Sequence, residues 1–317
     1  MPPVRKTIMN TAIRLIAGTA HPALAAAIAA ELALPLTRCT IERFPDGEVA
    51  IQVHESVRGM TVCLIQPTGP PVNDHLIELL ALADACRRDA ATRIVAVTPY
   101  LGYTRADKRA GRRTPITASM VAQVMQAVGI EHVITLDLHA EQIEGFFQAP
   151  VDNLSAVAVL AEALRPQLPR ETVVISPDAG RVRMATAYAQ RLRAPLAVLH
   201  KQRVSGTETH VTHVVGDVAG RPCLLVDDMI ATGGTLADGA AALRRAGARE
   251  PIIAAATHGL LLPGARERLA EAGIERLVVT DSLPINGTAP PAISVVSVAP
   301  LLAEAIRRCL GASATPT

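Results

Sequence analysis

The sequence contains no tryptophan and only three phenylalanines and three tyrosines. Such a chain has to build its core from aliphatic side chains, and an aromatic outside an apolar run becomes informative. Charge of one sign is lacking too: Lys plus Arg number 31 and Asp plus Glu 29, a net of +2. No global field is available for nucleic acid or an anionic membrane, so any basic function must be local. No run of 18 apolar residues exists, which excludes a helical membrane span. The cysteines are five (Cys39, Cys63, Cys86, Cys223 and Cys309), scattered and without metal-ligand spacing. They read as buried thiols in a reducing cytoplasm, not as a disulfide framework or zinc site. Residues 1–6 are basic and 23–30 apolar, but Arg14, His21, Pro22 and Glu31 interrupt the pattern, which argues against a secretory signal.

What is present is a regular alternation of strand-like and helical stretches. Strands are expected over 13–17, 61–66, 94–98, 133–137, 172–176, 196–199, 223–226, 252–257 and 276–280. Helices are expected over 22–32, 73–88, 116–128, 154–164, 182–192, 236–246 and 300–310. This alternation predicts an α/β protein with mostly parallel sheets flanked by helices on both faces. A length of 317 residues and the number of units favour two such sheets, with a boundary near 150–154. The last helix is amphipathic and suited to pack back on the first domain. Ligands in such sheets lie beyond the carboxyl ends of the strands.

The most informative stretch is 222–235, Pro-Cys-Leu-Leu-Val-Asp-Asp-Met-Ile-Ala-Thr-Gly-Gly-Thr. An apolar strand runs into paired carboxylates, Asp227 and Asp228, then a small-residue turn of Ala231, Thr232, Gly233, Gly234 and Thr235, then a helix. Amide N–H groups at such a helix start bind a phosphate monoester. The two carboxylates can accept hydrogen bonds from vicinal hydroxyls. Together they fit a pentose 5-phosphate, against the plainer reading of an ordinary strand-to-helix turn.

Other polar clusters fall at strand ends. Phe44 stands beside Asp46 and Glu48, where a planar base could stack and an exocyclic amine could donate; Asp46-Gly47 equally suits a hairpin turn. Phe44, Tyr100 and Tyr103 sit in polar contexts that core packing explains poorly. Arg105, Lys108, Arg109, Arg112 and Arg113 surround Asp107, a local charge that suits a small polyanion such as a triphosphate better than nucleic acid, or else forms a solvated face. Asp137 and His139 close one strand and are expected to share a side, and Asp178 opens the turn Ala179, Gly180, Arg181 after another. Both groups suit Mg2+ shared with phosphate oxygens, or a hydrogen-bonded histidine and a plain turn. His200-Lys201-Gln202-Arg203 opens a polar segment running to His213, either a closing loop with two cations or a solvent-exposed connector.

In this order the motifs resemble the ribose-phosphate diphosphokinase family, over roughly 13–310. The resemblance rests on Phe44-Pro-Asp-Gly-Glu48, Glu55-Ser-Val-Arg-Gly59, Pro71-Val-Asn-Asp-His75, Thr135-Leu-Asp-Leu-His-Ala140, Gly216-Asp217 and Val226-Asp-Asp-Met-Ile230. It implies two phosphoribosyltransferase-like domains, 10–153 carrying an ATP site and 154–298 a ribose 5-phosphate site, with 299–312 returning to the first. It also implies that Phe44, Asp46 and Glu48 hold adenine for a neighbouring subunit of a homo-oligomer, while Arg105, Asp107 and His139 hold nucleotide from their own. His139 and Asp178 would ligate Mg2+, Asp178 to Arg181 would form a diphosphate loop, and Asp227 to Thr235 a ribose-phosphate loop. Lys201 and Arg203 would be the catalytic cations. The implied partners are ATP and ribose 5-phosphate, with no nucleic acid and no membrane.

Three positions depart from the family pattern: Ala106 where Gln is common, Ala231 where Asp is common, and Arg181 in place of a second glycine of the diphosphate loop. The last is expected to add a cation near the leaving or transferred group. Two rivals remain on sequence: a base phosphoribosyltransferase, which would have no role for the first domain's motifs, and a non-catalytic regulatory homologue.

Overall fold

In the computed structural model of the chain, residues 13–203, 209–285, 287 and 291–311 are described, 201–203 and 209–212 by their backbone alone. The chain divides into two compact units, one of residues 1–154, 282–284 and 298–317, the other of 155–281 and 285–297.

The first unit contains β1 (Ile13–Ala17), α1 (Pro22–Leu32), β2 (Cys39–Arg43), β3 (Val49–Val53), β4 (Thr61–Ile65), α2 (Val72–Arg88), β5 (Arg93–Val97), α3 (Thr117–Ala127), β6 (His132–Leu136) and β7 (Val151–Leu154). A five-stranded sheet has the order β1-β4-β5-β6-β7, every neighbour parallel, and β2 and β3 form a separate antiparallel hairpin. Alternate residues of each strand serve opposite faces. Val62, Leu64, Ile94, Ala96 and Val133 pack with Leu79, Leu82, Val121 and Met125 of α2 and α3, while Cys63, Ile65, Val95 and Ile134 are buried on the other face.

The second unit contains α4 (Val157–Leu164), β8 (Val173–Ser176), α5 (Val182–Leu192), β9 (Leu196–Arg203), β10 (Thr209–Val215), β11 (Cys223–Ile230), α6 (Gly234–Arg245), β12 (Ile252–Gly259), α7 (Ala265–Glu271), β13 (Arg276–Thr280) and β14 (Ala292–Val296). Its seven strands run β10-β9-β8-β11-β12-β13-β14, all parallel except the β9–β10 pair. Leu225, Ala254 and Leu277 pack with Leu236, Leu243 and Leu269 from α6 and α7; α4 and α5 cover the opposite face. The closing helix, α8 (Ala299–Cys309), belongs to the first unit and packs on α1, where Arg307 donates to the Glu31 carbonyl. Arg93 Nη1 donates to the Cys309 carbonyl at 3.0 Å, and its Nη2 to His132 Nδ1 at 2.8 Å. Arginine can only donate, so His132 Nε2 carries the hydrogen that Asp152 accepts at 2.9 Å.

Two mostly parallel sheets flanked by helices is the architecture that the alternation predicts, and several details differ. The helix expected from 154 begins at Val157, because Val151–Leu154 joins the sheet as β7. The described parts of the polar segment from His200 are strands: β9 runs to Arg203 and pairs with β10, while 204–208 lie outside the described residues. β11 continues through the acidic doublet to Ile230. Asp137 lies just past β6 with φ +36°, so the alternation expected to put it on one side with His139 stops before it. Tyr100 is buried and belongs to the core, contrary to the polar context of its sequence. The strand β14 and the short helix α7 carried no signal strong enough to be expected.

All five cysteines are free thiols. Burial pushes Cys63 and Cys86 up to about 12 and Cys223 up to about 11, which keeps them protonated and inert. No helix among the described residues is long and apolar enough to cross a membrane.

One fully buried carboxylate holds the turn after β1. Glu78 accepts from the Thr19 amide and hydroxyl, each at 2.6 Å, and from Gln66 Nε2 at 2.8 Å. Glu78→Ala leaves these donors unpaired, and the expected loss is about 3 kcal/mol, read as a fall in the urea midpoint. A midpoint equal to the parent's would show that the network contributes nothing.

Candidate functional site

The second unit assembles its polar groups at the carboxyl ends of β8 and β11. Ile175 is level with Leu225 and β8 stops at Ser176, so Asp227 and Asp228 lie beyond the flank that β8 covers. After β8 the chain turns sharply. Asp178 Oδ1 accepts from the Gly180 amide at 2.8 Å and the Arg181 amide at 3.1 Å, and the Ser176 hydroxyl donates to the Asp178 carbonyl at 2.8 Å. This Asp cap fixes a single helical turn, Ala179–Arg181, ahead of α5.

The turn places the Arg181 guanidinium against both members of the doublet. Its Nη2 is 2.9 Å from Asp228 Oδ2 and its Nε is 3.3 Å from Asp227 Oδ1. The Arg181 side chain is 15% exposed, Asp227 12% and Asp228 2%. Burial first, then the hydrogen bond and charge of Asp228, push the Asp227 carboxyl well above the usual carboxylate range, and Arg181 pulls it back. The Arg181 cation therefore sits on the carboxylates themselves.

The helix start beyond the doublet keeps its donors open. Gly233 is the N-cap of α6, with φ +76° and no side chain capping the amides. A Cβ there would lie 3.0 Å from Leu269 Cγ and 3.1 Å from the Ala265 carbonyl, so only glycine makes this turn. The preceding backbone is pinned: the Leu262 amide donates to the Ala231 carbonyl at 2.9 Å, and Arg268 Nη1 to the Thr232 carbonyl at 2.6 Å. Thr232 and Thr235 are exposed, Gly234 and Ala231 half-buried. An uncapped N-terminus of a 12-residue helix, with Arg244 and Arg245 at its far end, offers amide donors and a positive dipole end to which an anion can bind.

In the first unit, Phe44, Asp46 and Glu48 occupy the exposed tip of the β2–β3 hairpin. The Phe44 amide donates to the Glu48 carbonyl at 2.8 Å and the Glu48 amide to Asp46 Oδ1 at 3.0 Å. The hairpin alternative thus describes the backbone, while Phe44 remains 54% exposed, an aromatic with no core role. Arg43 pairs with Asp74 in the first turn of α2 at 3.5 Å, and the Tyr103 hydroxyl donates to neighbouring Asn73. The start of α2 so anchors both the hairpin and the segment after β5, a role the sequence does not signal. Arg105, Lys108, Arg109, Arg112 and Arg113 are exposed beyond β5. Asp107 is buried and accepts from Gln142 Nε2 at 2.6 Å, a bond that ties this segment to the turn after β6. Ala106 and His139 are half-buried.

Lys201 and Arg203 have their backbones in β9, and their side chains lie outside the described residues. Among the described residues no three His, Cys, Asp or Glu side chains group to hold a metal. Mg2+ does not require such a cage, since it binds through one or two protein groups and keeps water or phosphate oxygens in its other positions.

Residues 13–129 match the family described as the N-terminal domain of ribose phosphate pyrophosphokinase, and 206–314 that described as the phosphoribosyl synthetase-associated domain. A ribose-phosphate pyrophosphokinase of Bradyrhizobium diazoefficiens is 45% identical over 302 residues, covering 94% of this chain and 95% of the relative. One of Helicobacter pylori is 44% identical, covering 93% of this chain and 92% of the relative. The crystal structure of phosphoribosylpyrophosphate synthetase from Mycobacterium smegmatis superposes with a TM-score of 0.87 at 42% identity, covering 96% of this chain and 100% of that one. The chain belongs to the ribose-phosphate pyrophosphokinase (diphosphokinase) family.

Proposed function

We propose that the chain transfers the β,γ-diphosphoryl group of ATP to the anomeric hydroxyl of ribose 5-phosphate, giving phosphoribosyl diphosphate and AMP. The observation that carries this reading is one continuous segment, β11 to α6, that sets an acidic doublet beside an uncapped helix start. Amides around Thr232, Gly233, Gly234 and Thr235 take the 5-phosphate; Asp227 and Asp228 take the pentose hydroxyls. The Asp178 to Arg181 turn is the neighbouring diphosphate loop.

The anomeric oxygen attacks the β-phosphorus, the bond from that phosphorus to the α-phosphate oxygen breaks with its electron pair leaving on AMP, and the hydroxyl proton passes to solvent. No covalent enzyme intermediate is involved, so the protein's contribution is in-line positioning and charge neutralisation. Lys201 and Arg203 are assigned to the transferred group. Asp178 and His139 are assigned to Mg2+, which when bound neutralises phosphate oxygens. Each supports this within its own unit: a carboxylate or an imidazole alone suits a metal that completes its shell with water and phosphate oxygens, and one Asp178 oxygen is engaged with two amides that orient the group.

Arg105, Asp107 and His139 are assigned to the nucleotide of their own subunit, and Phe44, Asp46 and Glu48 to the adenine of a neighbour. The exposed hairpin tip supports a homo-oligomer in which that surface is covered. Five free thiols support a reducing cytoplasmic setting.

The decisive assay is AMP formation from ATP and ribose 5-phosphate with Mg2+; phosphate release without AMP, or no turnover, excludes the proposal. Gly233→Ala forces a Cβ against α7 at a positive φ, and the expected rise in KM for ribose 5-phosphate is about tenfold or more with KM for ATP little changed. Equal change in both would remove the phosphate assignment. Phe44→Ala is expected to raise KM for ATP by about tenfold and leave that for ribose 5-phosphate near the parent value; the reverse order would undo the adenine assignment.

A further inference from the structure

The geometry around Arg181 deepens the pentose reading of Asp227 and Asp228, and rests on it. A diol can reach this doublet only if carboxylate oxygens are accessible, yet 2% of the Asp228 side chain is exposed. What faces Asp228 Oδ2 at 2.9 Å and Asp227 Oδ1 at 3.3 Å is one guanidinium. It comes from the diphosphate-loop turn, three residues after Asp178, in the turn that follows β8, the strand adjacent to β11. Its N–H groups approach the carboxylates as sugar hydroxyls would, by donating to their oxygens. Asp227 Oδ1 also accepts from the Asp228 amide at 2.9 Å, so the guanidinium adds to an acceptor already partly used.

We infer that Arg181 is a built-in competitor for the pentose hydroxyls: it fills the diol subsite of the unliganded chain and must leave the acidic doublet before ribose 5-phosphate can bind. Apparent acceptor affinity is then the intrinsic affinity multiplied by the fraction of molecules in which Arg181 has swung away. The sequence position is consistent with this role. The backbone at 181 has φ −100°, an ordinary value, so glycine there is permitted and arginine is not dictated by the fold. Arg181 is thus a specificity-determining residue for the acceptor.

The sign of the effect separates this from simple electrostatics. Removing a cation near a phosphorylated ligand weakens binding by charge alone, whereas removing a competitor tightens it. Ribose 5-phosphate binding to the full chain is measured by calorimetry with Mg2+ and no nucleotide, for the parent, Arg181→Gly and Arg181→Lys. A 2-deoxyribose 5-phosphate titration serves as the arm without vicinal hydroxyls. Arg181→Gly is expected to bind ribose 5-phosphate at least about tenfold more tightly, with a smaller gain for the deoxy sugar. Arg181→Lys, whose single ammonium lacks the two-carboxylate fork, is expected to gain less and covers the case in which the glycine variant does not fold. Unchanged or weaker binding by a folded variant, or an equal gain for both sugars, overturns the inference and leaves the pentose site intact. If neither the parent nor any variant binds ribose 5-phosphate, the pentose reading itself falls and the inference with it.

Discussion

Two carboxylates side by side in a protein interior repel each other and have lost most of their water, so something must supply compensating charge. At the end of β11 the compensation is the Arg181 guanidinium, within 3.3 Å of Asp227 and 2.9 Å of Asp228. Much of the second unit's local architecture follows from this. The parallel pairing of β8 with β11 sets the distance, the early end of β8 leaves the flank open, and the Asp178 cap aims the turn that delivers the side chain. A longer β8 would cover the doublet with backbone. A turn without its cap would leave Arg181 free to point elsewhere.

The same strand also explains why a phosphate cradle stands next to a sugar-hydroxyl site. Once β11 ends at Ile230, the chain must leave the sheet and start α6 at Gly234. Gly233 makes that reversal by adopting a left-handed conformation, close to the backbone of α7. The reversal brings the amides of a helix start to the end of the strand on which the carboxylates sit. In the first unit the polar groups are organised differently, by side-chain ties instead of one continuous turn. Asn73 and Asp74 at the start of α2 hold Tyr103 and Arg43, and Gln142 holds Asp107.

Local pattern made much of this legible. Most parallel strands, though not β7 or β14, are visible as apolar runs, and Gly233 and the carboxylate pair are visible by type and order. Boundaries failed where tertiary pairing extends or replaces a local preference. β7 exists because Val151–Leu154 finds β6, and β9 lengthens because β10 lies beside it. Tyr100 reads as polar from its neighbours, and packing buries it. Arg181 was recognised as an unusual residue in its loop, but its partners lie 46 and 47 positions further on, and no spacing rule connects them. Gln142 and Arg268 were silent for the same reason: each acts on a residue that only the folded chain makes a neighbour.

The helix α8 comes last in the described chain but is a component of the first unit, lodged on α1 and tied through Arg93 to the amino ends of β5 and β6. During synthesis the ribosome therefore releases the first sheet long before the segment that covers part of it. Until α8 emerges, the part of α1 that it covers stays open although β1 already lies against the same helix, and the intervening unit can finish its core first. Order of completion is thus opposite to order of translation, and the nascent amino-terminal half is the stage most exposed to chaperones or aggregation.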